Sequence, residues 1–436
     1  MTKNKTIPRA EQWDQTFSLI DEGFEFLPGQ REQLGSDLFE TRLLGKKAVC
    51  IAGEEAAEIF YDTEKFKREG AMPKPLKMSL FGEGSLHGMD GEAHRNRKRT
   101  FLSMFTPDRV EELKKMALKH LDAKVDEWEH RDQVILFDEM QEILTRAGCE
   151  WAGVPLQESE VKQRTTEMID MIDSFGGSLS RFRKGKKARD SHQAWLEKII
   201  KDVRKRKLNP EPNTAAYIMA HHRETNGKKW DTKTAAVELS NSFRPLLATA
   251  YFLILGALAM HQHPETAEKL KNGPDSYGHW FAQETRRYYP FVPAMIAKVD
   301  KPFLWKGYEF KKNTRVVLDL FGTNRHPDSW DDPNAFIPER FDNWQGSPFA
   351  FVPQGGGDHH TGHRCAGEWL TVLVMSSFFE FFAKNIQYDV PEQDLSFSLK
   401  RMPTYPKSGF IIENVRKTAN YEETFKELNQ GFSAIR

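Results

Sequence analysis

The chain has 436 residues, with 63 Lys+Arg balanced by 63 Asp+Glu, so no net field gathers nucleic acid and no acidic tail stands out. Its three cysteines, Cys50, Cys149 and Cys365, show no pairing pattern, which excludes a disulfide framework and favours a reducing compartment where a lone cysteine is a ligand or nucleophile. The opening run MTKNKTIPRAEQWDQTF lacks the apolar stretch of a secretory signal, and the expected location is the cytoplasm.

In chain order, residues 38–53 (LFETRLLGKKAVCIAG) read as short strands. Residues 111–131, 138–154 and 191–207 carry apolar side chains at three-and-four spacing and read as amphipathic helices. The polar stretch 221–235, with Asn226-Gly227 in it, reads as an exposed connection. From about Thr232 to Met260 the pattern is one helix, apolar from Pro245 onward. That apolar part is shorter than the ~20 residues a spanning helix needs, so it is expected to be a buried core helix with no membrane span. Residues 297–320 read as hairpins with a turn at Lys306-Gly307, and residues 367–385 as another helix. About 416–436 reads as a polar C-terminal tail. The sum is a mainly α fold with a minor β portion, taken as a single domain over 1–436.

Within the long helix, NSFRPLLA holds two awkward residues. Pro245 cannot donate to the carbonyl of Asn241, so a kink is expected there. Arg244 precedes it in an increasingly apolar run, where a guanidinium is costly unless an anion meets it. The partner is either an internal Asp or Glu or a ligand carboxylate, which arginine grips in two-pronged fashion. Periodicity does not separate the two.

QGGGDHHTGHRCAGEW, residues 354–369, admits three readings. His359, His360, His363 and Cys365 are zinc-ligand types, but their spacing is not that of a zinc finger. The glycines resemble a phosphate loop, yet no Gly-Lys-Ser/Thr follows, and FGEGSLHG is a similar near miss. The third reading is one thiolate, Cys365, just before a helix beginning near Glu368. A helix N-terminus stabilises a thiolate, and Gly367 lets the backbone pass close to a flat cofactor. That arrangement suits an axial cysteinate on haem iron.

GHRCAG resembles the cysteine loop of the cytochrome P-450 superfamily. Two further signatures stand in the expected order: ETRR, with Glu284 and Arg287 on one helix face, and PERF, with Arg340. The resemblance implies haem b on Cys365, between a kinked distal helix and a proximal helix after the cysteine loop. It also implies a structural ionic lock of Glu284, Arg287 and Arg340. The chain departs from the common pattern where Asp358 replaces an aromatic, and where NSFRPLLATA replaces the acid–threonine pair of the long helix. Both departures, with RRYYPFVP, DVPEQ and KSGF elsewhere, resemble the bacterial fatty-acid peroxygenase branch. That branch uses hydrogen peroxide directly, so no obligatory redox partner is implied.

On this resemblance Arg244, with Pro245 beside it, is expected to hold the carboxylate of a long- or medium-chain fatty acid. The carboxylate then does the proton work on peroxide that no side chain does. His87 looks like the distal position occupied by His or Gln across the branch; its charge changes near neutral pH in an ordinary setting. His-bearing members release terminal alkenes by oxidative decarboxylation, so decarboxylation is expected beside β- and some α-hydroxylation. Phe81, Phe291 and Val292 are candidates for the alkyl channel or ordinary core, and Ala294 leaves room. Arg68, His94, Lys98 and His363 are candidates for the haem propionates or a solvated face, with His94 and Lys98 one turn apart. His359 and His360 are expected at the loop surface.

Overall fold

The computed structural model describes residues 5–10, 13–43, 45–176, 178–224 and 226–430. Ten strands occur among them: β1 (Leu38–Leu43), β2 (Lys46–Ile51), β3 (Phe66–Lys67), β4 (Gln133–Ile135), β5 (Ala294–Val299), β6 (Phe303–Trp305), β7 (Tyr308–Phe310), β8 (Arg315–Asp319), β9 (Ile386–Asp389) and β10 (Ile411–Lys417). The main sheet has the order β1-β2-β8-β5-β3, antiparallel except where β2 runs parallel to β8 with Val49 opposite Val316. Alternation decides its two faces. Val49, Ile51, Val316 and Leu318 enter one apolar cluster, while Ala48, Cys50 and Val317 enter the other with Phe26 and Phe39. Cys50 is thus core, and burial pushes its thiol far above the ordinary range.

The expected hairpin is present. Lys306 and Gly307 both have positive φ, +51° and +85°, the conformation a two-residue turn between right-twisted strands requires.

The helical body surrounds the long apolar segment, which is not one helix. An α-helix over Thr232–Phe243 gives way to a 3-10 turn over Arg244–Ala248, and a second α-helix runs over Thr249–Gln262. Pro245 explains the break: it has no N–H for the carbonyl of Asn241, so the chain tightens before resuming. The span Thr232–Gln262 passes a length-and-hydropathy test for crossing a membrane, yet 89% of its most apolar window is buried inside the fold. Opposite it lies the proximal helix, Glu368–Lys384. The two helices touch at Gly256, where a Cβ would stand 2.2 Å from the ring of Phe379.

One expectation changes here. The segment after residue 416 is not a free tail: β10 ends at Lys417, and a helix over Tyr421–Gln430 buries Tyr421 and Leu428, with Tyr421 OH donating to Asp122 at 2.5 Å. Its charges face outward while one apolar stripe docks, which composition alone hides; residues 431–436 lie outside the described ones. The connection around Asn226-Gly227 is exposed, as expected, and it is also anchored. Arg223 bridges to Lys229, and Glu224 accepts from Arg97 (3.0 Å) and from the indole of the buried Trp230 (2.6 Å).

Candidate active site

Cys365 sits in the loop that feeds the proximal helix. Its backbone N–H donates to the carbonyl of Gln354 (3.0 Å), and the Gln354 amide lies 3.8 Å from its sulfur and 3.2 Å from Thr371 Oγ1. Burial raises the thiol's pKa and Glu368 adds to this. The N–H of Gly367, with the charges of Lys98 and Arg286, works in the opposite direction. The glycines have a geometric reason: Gly355 and Gly357 have φ of +91° and +79°, and a Cβ at Gly356 would come within 2.8 Å of the Pro348 carbonyl.

Two buried ionic groups fix this loop against the helix over Tyr277–Tyr288. Glu284 and Arg287 meet in a two-pronged contact, both bonds 2.7 Å, and Arg340 Nε reaches Glu284 Oε2 at 3.2 Å. Arg287 also donates to the carbonyls of Asn324, Pro333 and Ala335. Next to it, Arg286 pairs with Glu368 Oε1 at 2.5 Å, and Glu368 Oε2 accepts from Arg364 at 2.5 Å. Every charge here has a partner, which buried ions require.

Above the loop the charges are not all matched. The ammonium of Lys98, 1% exposed, donates to the carbonyls of Gly362 and Arg364. Arg68 lies over the rings of Phe60 (4.2 Å) and Tyr61 (5.4 Å). Among the described residues neither cation has a carboxylate within ion-pair distance. Burial pushes Lys98 down to about 8 and lowers Arg68 as well. His94 packs at a tilt against His363 with centroids 4.1 Å apart, and His363 Nε2 lies 3.3 Å from Asp90, whose carboxylate also accepts from the N–H groups of Arg68 and Glu69. Burial takes His94 down to about 3, so it is neutral at physiological pH.

On the distal side Arg244 is 3% exposed. Its Nη2 donates to Asn241 Oδ1 at 3.2 Å, its Nε has no partner, and among the described residues no carboxylate lies within ion-pair distance. Burial, then the charge of Arg189, pushes it down to about 9, still protonated at neutral pH. His87 packs its ring 4.2 Å from Phe81 and leaves Nδ1 unpartnered. Burial, then the charge of Arg244, takes its pKa to about 3. The side chain keeps some open surface, but its ring is deep enough in protein for the neutral form to hold. The expectation that it changes charge near neutral pH is corrected: a tertiary setting overrides the ordinary value.

A family model for cytochrome P450 matches residues 276–412. A solved structure described as "Cytochrome P450EX alpha (CYP152N1) wild-type with myristic acid" is 40% identical, covers 95% of this chain and 100% of its own, and superposes with a TM-score of 0.92. A crystal structure of a single-residue variant of cytochrome P450 OleT in complex with arachidonic acid is 40% identical over 95% and 99% of the two chains, with a TM-score of 0.93.

The chain belongs to the cytochrome P450 family.

Distant members are also similar, such as cytochrome P450 26A1 of Danio rerio, 23% identical over 84% of this chain and 80% of its own. The resemblance read from the motifs, fold and branch alike, is borne out.

The cofactor of this P450 is haem with a cysteine thiolate on its iron. The residues fit that group. Lys98 and Arg68 are buried cations without protein carboxylates among the described residues, as the propionates require. A Cβ at Gly367 would meet nothing nearer than Phe105 at 3.8 Å, so the backbone beside Cys365 presents a bare face. The zinc alternative falls away: among the described residues no three His, Cys, Asp or Glu side chains converge as metal ligands. His360 is exposed and His359 half-buried.

The structure brings Phe81 against His87, while Phe291 packs on Phe252 (4.8 Å) and Tyr251 (5.9 Å). Val292 turns to the sheet cluster instead. Sequence reading missed Asp90, Arg286 and Glu368, which have partners far away in the chain, and Gln354, whose partners Cys365 and Thr371 lie in the same loop and the helix after it. It also missed Glu238 and Asn241, although Glu238-Asn241-Arg244 at three-residue steps share one helix face and were in plain view.

Proposed function

We propose that this P450 uses hydrogen peroxide to oxidise long- or medium-chain fatty acids next to the carboxylate, releasing terminal alkenes by oxidative decarboxylation together with β-hydroxy and some α-hydroxy acids. The observation that carries the reading is Arg244, a buried guanidinium to which the described residues offer no carboxylate. An isolated buried cation is costly, and a fatty-acid headgroup is the anion that relieves it. The myristic and arachidonic acids named with the two structural relatives are of that chemical class.

Haem, held by Cys365, would supply the iron for peroxide cleavage and the oxidising power for C–H attack. Arg68, Lys98 and His363 would hold its propionate side, with the neutral His94 packed against His363. Arg244 orients the carboxylate, and the 3-10 turn imposed by Pro245 aims that guanidinium inward. A carboxylate held there accepts the proton of peroxide at one oxygen and returns it to the departing oxygen, the acid–base task for which the helix carries no side chain. Without substrate that task goes undone, so peroxide is not consumed idly. With the carboxylate gripped at Arg244, the carbons next to it would be the ones presented to the haem, which would set the position of attack. His87, neutral beside Arg244, donates or accepts one hydrogen bond and biases the outcome toward alkene. Phe81 and Phe291 contact the alkyl chain, whereas Val292 packs with the sheet cluster.

The whole chain works as one haem-thiolate domain in the cytoplasm without an obligatory reductase. Product analysis by mass spectrometry after adding peroxide alone to holoenzyme and saturated fatty acids of several lengths tests this. Alkenes and β-hydroxy acids are expected. Turnover only with a ferredoxin or flavodoxin system would make it an ordinary monooxygenase, and binding without products a carrier or sensor.

A further inference from the structure

We infer that Glu238 is a positioning residue that registers the carboxylate clamp and the His87 loop to one another; the inference rests on the reading of Arg244 given above. Glu238 is fully buried on the distal helix, nearly two turns before Arg244. Its Oε1 accepts from the N–H of Leu86 (2.8 Å) and from Arg97 Nη1 (2.9 Å). Its Oε2 accepts from Asn241 Nδ2 at 3.1 Å. The same Nδ2 donates to the carbonyl of Phe81 at 3.0 Å, and Arg97 donates to the carbonyl of Gly84. The loop carrying Phe81 and His87 is therefore pinned at residues 81, 84 and 86 to one carboxylate and its two donors.

Direction matters more than number. An amide has one accepting and one donating end. Glu238 Oε2 and the Phe81 carbonyl are both acceptors, so they hold the NH2 of Asn241 toward themselves. That leaves Oδ1 facing the other way, where it accepts from Arg244 Nη2 at 3.2 Å. Among the described residues this is the one hydrogen bond given to the Arg244 guanidinium, so the orientation of the clamp is set by the accepting character of Glu238.

Glu238→Gln keeps the shape and reverses one bond. Its NH2 must oppose either Asn241 Nδ2 or the Leu86 and Arg97 donors. If Asn241 turns over to relieve the first clash, its own NH2 faces Arg244 and its oxygen faces the Phe81 carbonyl. Either outcome frees the clamp or the loop.

The test compares two ligands on holoenzyme, read by the haem Soret band. Myristic acid engages the clamp, and imidazole binds with no carboxylate. In Glu238→Gln the myristate affinity should fall about tenfold, a loss of one buried charge-assisted contact, while imidazole affinity holds within about twofold and the alkene-to-alcohol ratio shifts. Glu224→Gln, which alters the outer partner of Arg97 and the acceptor of the Trp230 indole but leaves Glu238 and Asn241 as they are, should move neither. Asn241→Ala gives a second reading should Glu238→Gln not fold, and the same carboxylate-selective loss is expected of it. Unchanged myristate affinity in either folded variant, or parallel losses for both ligands, overturns the inference. An Arg244→Ala arm separates the two readings. If that variant binds myristate like the parent, the assignment of the clamp itself fails. If it does not bind while Glu238→Gln and Asn241→Ala do, only the role of Glu238 falls.

Discussion

Glu284 and Arg287 lie one helical turn apart with both side chains fully shielded from solvent, and two bonds of 2.7 Å join them. Arg340 closes on the same carboxylate from the loop after Pro338. Arg287→Ala would take the two-pronged partner from the buried carboxylate, leaving it Arg340 and the N–H of Ile337, and would free the carbonyls of Asn324 and Pro333, a loss of about 3 kcal/mol for a broken buried pair. The expected result is little folded holoenzyme, seen as a lowered Tm and a weak Soret band. Arg340, partly open to solvent, should cost less when replaced by Lys.

Lys98 offers a test of cofactor binding that stability does not confuse. Its ammonium is buried without a carboxylate, so Lys98→Met removes an unfavourable charge from the apoprotein while taking a cation from the haem edge. Apoprotein Tm should stay level or rise. Haem affinity should fall by about tenfold, one charge-assisted contact, as measured by haem transfer to apomyoglobin.

His87 carries two expectations. His87→Gln should lower the alkene-to-alcohol ratio several-fold with fatty-acid affinity largely kept, since Arg244 still grips the headgroup. The parent's ratio should be flat from about pH 6 to about pH 8, because a group ordinarily titrating near there is held down to about 3 by burial and by Arg244. The sign for stability is also fixed. His87 is neutral in the fold and protonates more readily once unfolded, so its contribution is complete above the ordinary histidine pKa. It is lost as pH falls from there toward 3. Less acid loss in His87→Gln, followed by thermal unfolding across pH, checks it.

What could be read in the sequence divides by distance along the chain. Cys365, the Glu284–Arg287 pair and the Lys306-Gly307 turn depend on neighbours within a few residues, so spacing and turn chemistry reveal them. The break at Pro245 follows from a missing N–H, although its form, a 3-10 turn between two α-helices, depends on packing. Asp90 with His363, Glu368 with Arg286 and Glu238 with Leu86 join distant segments, and nothing local announces those partners. The protonation of His87 belongs to the same class: burial and the charge of Arg244 exist only in the folded chain. The helix over Tyr421–Gln430 went unread although Tyr421, Phe425 and Leu428 stand at helical spacing, because three apolar residues in an otherwise polar run do not show whether that stripe docks.

The central claim is that Arg244 receives the substrate carboxylate, which then performs the proton work. The direct measurement is Arg244→Ala holoenzyme titrated with myristic acid by Soret shift and assayed for peroxide-driven product. The account predicts affinity weakened by about 100-fold, since a buried charge pair has lost one side, and almost no alkene or hydroxy acid. Myristate oxidised at the parent's rate and position by Arg244→Ala would contradict the account.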